Sequence, residues 1–166
     1  MSLKSSIHIV LDAHTDKFKK ITRKSRLRQQ LSKYDLIGHD SRLRGILILI
    51  EKSSGATIEN LVKINNNTLS FDAIMSDQMC VLVICVYGPS ADAPEYWDKV
   101  FEHFHVSSNK LKLVTGDFNV VLNPNFDGIG YITDPHPRGR VPINHNIGNA
   151  LIKDIFRVYN CNHALL

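Results

Sequence analysis

The chain has 166 residues, of which 43% are hydrophobic and 22% are charged. This composition is ordinary for one folded domain with a substantial core, and it excludes a chain that is disordered throughout. The formal net charge of +4 makes a polyanionic partner plausible but does not identify one. No apolar run approaches the ~20 residues that cross a bilayer, so no membrane partner is expected.

Three cysteines, Cys80, Cys85 and Cys161, occur without a Cys-x-x-Cys pair. Their odd number, with two of them in an apolar run, predicts free buried thiols in a reducing compartment. The apolar run near the N-terminus is broken by His8 and Asp12, which makes a poor signal peptide. We therefore expect an intracellular protein, nuclear or cytoplasmic and not secreted.

The first half of the chain predicts two strands and a basic helix. A short apolar run over residues 7–11 indicates a strand that leads into a loop. Residues 17–33 contain eight basic and no acidic residues, and the interleaved apolar residues favour a helix with an irregular apolar stripe. Residues 45–50, "GILILI", predict a fully apolar strand.

The second half predicts a hairpin, two helices and another strand. The runs "NTLSFDAIM" and "CVLVICVY" are separated by "SDQ", and the second run is apolar on both faces, which indicates a strand covered on both sides. "APEYWDKVFEHF" has apolar residues at helical spacing after Pro94. "LKLVTG" predicts a buried strand, residues 122–146 a long loop, and residues 147–158 a closing helix.

Polar side chains follow three of the predicted strands. Asp12 and His14 follow the first, Tyr87 ends another, and Asp117 and Asn119 follow "KLVTG". Alternation along an extended chain would place Asp117 and Asn119 on one side. Polar groups that meet at strand ends commonly build sites, although Asp, Asn and Pro are also ordinary loop residues.

Taken in order, "IVLDAHT", "RGILILI", "CVLVICVYGP" and "KLVTGDFN" resemble the endonuclease/exonuclease/phosphatase superfamily. They are most similar to the endonuclease domains of non-LTR (LINE-type) retrotransposons and to abasic-site endonucleases. The resemblance covers residues 7–158 approximately. It implies an α/β fold, a two-sheet sandwich with helices outside, which residues 1–166 would form as a single, truncated domain.

The resemblance also implies a chemistry. Hydrolysis of a phosphodiester needs an activated water and a divalent cation, Mg²⁺ or Mn²⁺, that offsets charge on the phosphate. Asp12 matches the position of the family's metal-binding Glu. Asp117 matches the aspartate that orients or deprotonates the water, and Asn119 the asparagine that hydrogen-bonds the phosphate. Tyr87 matches the tyrosine that stabilises developing charge, and His14 is a possible further site residue.

The basic stretch offers a second kind of site. Lysine and arginine release condensed counterions when they meet phosphates, so the stretch predicts salt-sensitive and sequence-independent binding to DNA. The alternative is a solvated helix face. No defined protein partner is expected. The residues assigned to nucleic-acid binding are Lys19, Lys20, Arg23, Lys24 and Arg28.

Two elements that the resemblance implies have no counterpart in the sequence: an asparagine-bearing strand before residue 7 and a Ser-Asp-His motif near the end. We therefore expect an incomplete, retrotransposon-derived endonuclease-type domain that nicks DNA poorly or not at all, and whether it is an active enzyme stays open. The reverse transcriptase that follows this domain in such elements is not encoded here. One alternative is a non-catalytic nucleic-acid-binding remnant. Another is a phosphatase of the same fold, against which the retroelement-like motifs argue.

Overall fold

The computed structural model describes residues 7–11, 29, 31–39, 45–106, 111–123, 137–149 and 152–154. Asp12, His14 and the basic residues assigned to nucleic-acid binding lie outside the described residues, so those assignments stay predictions. The chain divides into two compact units. The first unit is Met1–Gly88 with Ser107–Phe118, and the second unit is Pro89–Val106 with Asn119–Leu166.

The strands described in the first unit form two β-sheets. In the smaller sheet the strand order is β1-β3-β2, and both pairs are antiparallel. The apolar strand β3 is central, and its residues 46–50 are buried. The strands of this sheet are β1 (Ile7–Val10), β2 (Tyr34–His39) and β3 (Ile46–Glu51).

The larger sheet has the order β4-β5-β6-β7. A 3-10 turn, Lys52–Ser54, follows β3 and precedes this sheet. The pairs β4-β5 and β5-β6 are antiparallel, whereas β6 and β7 are parallel. A parallel pair requires a crossover connection, and the chain between β6 and β7 contains a helix. The strands are β4 (Thr57–Asn65), β5 (Thr68–Ile74), β6 (Cys80–Tyr87) and β7 (Leu111–Asp117).

The described residues of the second unit form two α-helices, α1 (Pro94–Val106) and α2 (Arg140–Gly148). The buried side chains of α1 are those of Trp97, Val100, Phe101 and Phe104, which recur at helical spacing. In the parts of the chain that the structure describes, no helix is long and apolar enough to cross a membrane.

The core of the first unit joins residues of both sheets. It combines every second side chain of β3 with side chains from β5 and β6, because alternate residues of a strand point to the same face. Full burial of one large aliphatic or aromatic side chain stabilises the fold by about 1.5–3 kcal/mol. The buried residues of this core are Ile46, Ile48, Ile50, Leu69, Phe71, Ala73, Val83 and Cys85.

The cysteines of β6 are free thiols as predicted, but Cys80 is only half-buried. Cys80 and Cys85 are both free, and Cys85 is buried. Burial raises the pKa of the Cys85 thiol to about 12, because the thiolate would be desolvated. Cys161 lies outside the described residues.

Several predicted elements are confirmed. The first strand, the strand at "GILILI", the hairpin of β5 and β6 and the helix after Ala93 all form where the sequence places them. The burial of Leu82 and Ile84 together with Val83 and Cys85 confirms that β6 is covered on both faces.

Other predictions of structure are wrong. Strand β7 forms, but Leu111 and Leu113 are 62% and 44% exposed, so it is not the buried strand that its apolar residues indicated. Helix α2 begins within the predicted loop and ends at Gly148, and residues 152–154, where a helix was predicted, are not helical. Strands β2 and β4 were not predicted. Most side chains of β4 are exposed, so its sequence lacks the apolar alternation of a half-buried strand.

Candidate functional site

Tyr87 and Asp117 end two adjacent parallel strands. They are direct partners in the register of β6 and β7, and neighbouring strands lie about 4.8 Å apart. Because paired residues share a face, both side chains lie on the face that also carries Val83 and Cys85 of the core. A phenol and a carboxylate therefore stand next to each other at the carboxyl ends of these strands.

The two side chains differ in exposure. Asp117 is exposed, whereas Tyr87 is half-buried. An exposed carboxylate can accept a proton from a water molecule or orient it, and a phenol can donate a hydrogen bond to an oxygen that develops negative charge. The pair therefore has the chemical groups that a base and a neighbouring hydrogen-bond donor would require.

Two glycines allow the strand ends to approach this closely. Gly116 has a φ of 138°, and a Cβ at this position would overlap the carbonyl oxygen of Val86. The N–H of Gly88 donates to the carbonyl of Asp117 at 2.6 Å, and a Cβ on Gly88 would overlap the carbonyl oxygen of Phe118. The glycine in "GDFN" is thus a steric requirement of the backbone.

The turn between β4 and β5 supports the backbone of Tyr87. The N–H of Tyr87 donates to the carbonyl of Asn67 at 2.8 Å. The N–H of Asn67 in turn donates to the Oδ1 atom of Asn65 at 2.8 Å, which closes the turn between β4 and β5. Sequence reasoning missed Asn67, although the run of three asparagines before Thr68 is a turn signal.

Asn119 is the first residue of the second unit. It is half-buried and has a φ of 50°, in the left-handed region that asparagine tolerates better than most residues. Strand β7 ends at Asp117, so the argument from strand alternation does not extend to Asn119 and was wrong. Its assignment to phosphate binding stays a prediction from the sequence.

Of the two aspartates predicted for the site, only Asp117 lies among the described residues. Among them, no group of three His, Cys, Asp or Glu side chains could hold a metal ion. Mg²⁺ commonly takes only one or two protein carboxylates with waters and phosphate, so the exposed Asp117 is chemically compatible with it. Asp12, the predicted ligand, follows directly after Leu11 and lies outside the described residues.

Comparison with solved structures identifies the fold. The chain is similar to an AP endonuclease from Archaeoglobus fulgidus, with a TM-score of 0.70 and 14% identity over 96% of this chain and 66% of that one. It thus spans about two thirds of the length of that enzyme. No family model matches the sequence, and no curated protein matches it.

Two further structures share the fold. ANGEL2, a 2',3'-cyclic phosphatase, is similar over 70% of this chain and 40% of that one, with a TM-score of 0.52 and 14% identity. Humanized D. rerio TDP2 is similar over 70% of this chain and 53% of that one, with a TM-score of 0.51 and 8% identity. All three are of the endonuclease/exonuclease/phosphatase superfamily fold. The chain therefore has this α/β sandwich fold, as its sequence predicted.

Proposed function

We propose that this chain is an endonuclease-type domain that hydrolyses phosphodiester bonds in DNA. The observation that carries the proposal is the register pairing of Tyr87 with Asp117 at the carboxyl ends of two parallel strands. The superfamily fold supports it, since one of the similar structures is an AP endonuclease.

In the proposed reaction the Asp117 carboxylate orients the attacking water and accepts its proton. The Tyr87 hydroxyl donates a hydrogen bond to the phosphate as negative charge develops on its oxygens. Asn119, by its place in "GDFN", would hydrogen-bond the phosphate as well. A bound Mg²⁺ or Mn²⁺, which Asp12 would hold, would neutralise phosphate charge.

An origin in a non-LTR retrotransposon and an intracellular location belong to the same proposal. The order and spacing of "IVLDAHT", "VYGP" and "GDFN" support the origin. The free thiols of Cys80 and Cys85 are consistent with a reducing compartment. A reverse transcriptase reading frame in the flanking genomic sequence would test the origin.

The catalytic proposal is tested by conversion of supercoiled plasmid, with and without abasic sites, to open circles. We expect slow nicking that requires Mg²⁺, because the position of the metal-binding Glu carries the shorter Asp12. Asp117→Asn should lower the rate at least about 100-fold, and Tyr87→Phe at least about tenfold. Asp98→Asn, which changes an exposed carboxylate of α1, is the matched control.

Nicking that persists in Asp117→Asn would contradict the assignment of the base. If the wild-type chain binds DNA but no nicking is seen at enzyme excess with Mg²⁺ or Mn²⁺, the result favours the second candidate, a non-catalytic nucleic-acid-binding domain. The basic stretch 17–33 is the observation that supports this second candidate.

A further inference from the structure

The segment that follows Asn119 is held by side chains of α2. Arg140 Nη1 donates to the carbonyl of Val121 at 3.4 Å, and Asn144 Nδ2 donates to the carbonyl of Leu122 at 3.5 Å. Each hydrogen bond is long, but Arg140 and Asn144 are four residues apart and lie on one face of the helix. They contact successive carbonyls of a segment that has no regular secondary structure.

Helix α2 is itself anchored near both ends. At its start, Asp92 accepts hydrogen bonds from the N–H groups of Gly139 at 2.5 Å and Arg138 at 3.3 Å. Towards its end, the buried Asn146 forms a 2.8 Å hydrogen bond through its Oδ1 atom with Nε2 of His105 on α1. Helix α2 is therefore bound both to α1 and to Asp92, which lies just before α1. These contacts hold α2 in place and so support the side chains of α2.

We infer that Arg140 is a positioning residue for Asn119. The inference rests on the proposed function, in which Asn119 binds the phosphate. Only one residue separates Asn119 from Val121, so the carbonyl that Arg140 binds limits where the Asn119 backbone lies. A displacement of about 1 Å in a reacting group can lower a rate by about 100-fold, so loss of this support acts on catalysis without removing a group that touches the substrate.

The test compares wild type, Arg140→Ala and Arg140→Lys, with Arg138→Ala as the matched control. Arg138 is exposed, carries the same charge, and keeps its backbone N–H to Asp92 when its side chain is truncated. Amide hydrogen exchange is measured for residues 119–123 and for α1, and the kcat and KM for plasmid nicking are measured on the same proteins.

Arg140→Ala should increase exchange in residues 119–123 about tenfold and lower kcat about tenfold, with KM within about twofold and α1 unchanged. Arg140→Lys, which keeps one donor, should recover part of both effects, and Arg138→Ala should behave as wild type. Unchanged exchange in Arg140→Ala, or an equal effect of Arg138→Ala, would overturn the inference.

Failure of the proposed function gives a different result. If the wild type does not nick DNA, the proposed function is wrong. The comparison of amide hydrogen exchange still decides whether Arg140 holds residues 119–123 in place. Should Arg140→Ala not fold, Asn144→Ala removes the neighbouring hydrogen bond and is compared with Arg140→Lys in the same two measurements.

Discussion

At Gly116 the backbone has a φ of 138°, in a region that side-chain-bearing residues rarely adopt. The carbonyl oxygen of Val86 occupies the space that a Cβ would need. This residue therefore has a steric role in bringing the end of β7 against β6, separate from any chemical role of the neighbouring Asp117.

Gly116→Ala should lower the free energy of unfolding by about 2–3 kcal/mol, since it adds backbone strain and a steric overlap. Chemical denaturation of both proteins measures the difference. Gly148→Ala is the control, because a Cβ there meets nothing within 4 Å, and it should be neutral or stabilising by up to about 1 kcal/mol. Equal stability of Gly116→Ala and wild type would show that the backbone adapts at no cost.

At the scale of one element, helix α2 depends on contacts from distant parts of the chain. Its sequence, "RVPINHNIG", contains a proline at the third position, and only Ile143 and Asn146 are buried. A side chain 47 residues earlier, Asp92, binds the N–H of Gly139, in place of the local side chain that usually caps a helix.

Asp92→Ala should lower the free energy of unfolding by about 1 kcal/mol, the usual effect of losing a helix cap. Amide exchange should increase in residues 140–148 more than in β5 or β6. Asp98→Ala removes an exposed carboxylate from α1 and serves as the control. Protection of α2 that does not change in Asp92→Ala would mean that the cap contributes nothing to this helix.

At the scale of the whole molecule, the distribution of charge bears on the proposed binding to DNA. Eight of its 20 lysines and arginines lie in residues 17–33, without an acidic residue among them. Each phosphate contact adds to the salt dependence of binding, because condensed counterions are released.

Neutralising Lys19, Lys20, Arg23 and Lys24 to Ala should weaken DNA binding and reduce the slope of log K against log salt concentration by about three to four. A titration of duplex DNA at several salt concentrations measures the slope. The control neutralises four exposed basic residues elsewhere and makes the same change in net charge. Those residues are Lys63, Lys99, Arg138 and Lys153. Equal effects of the two variants would favour the solvated helix face.

The sequence alone determined the elements whose own residues carry the signal. The apolar runs of β3 and β6 and the helical spacing of Trp97, Val100 and Phe104 in α1 are local patterns, and each predicted its element correctly. The motif "GDFN" likewise placed Asp117 at a strand end.

Only the tertiary structure decided the pairing of Tyr87 with Asp117, the exposure of β7 and the existence of β4 and α2. The parallel register of β6 and β7 joins residues 30 positions apart, and α2 is capped from 47 positions away. Such elements are stabilised by contacts between distant residues, and a local pattern of hydrophobicity does not record which distant residues will meet.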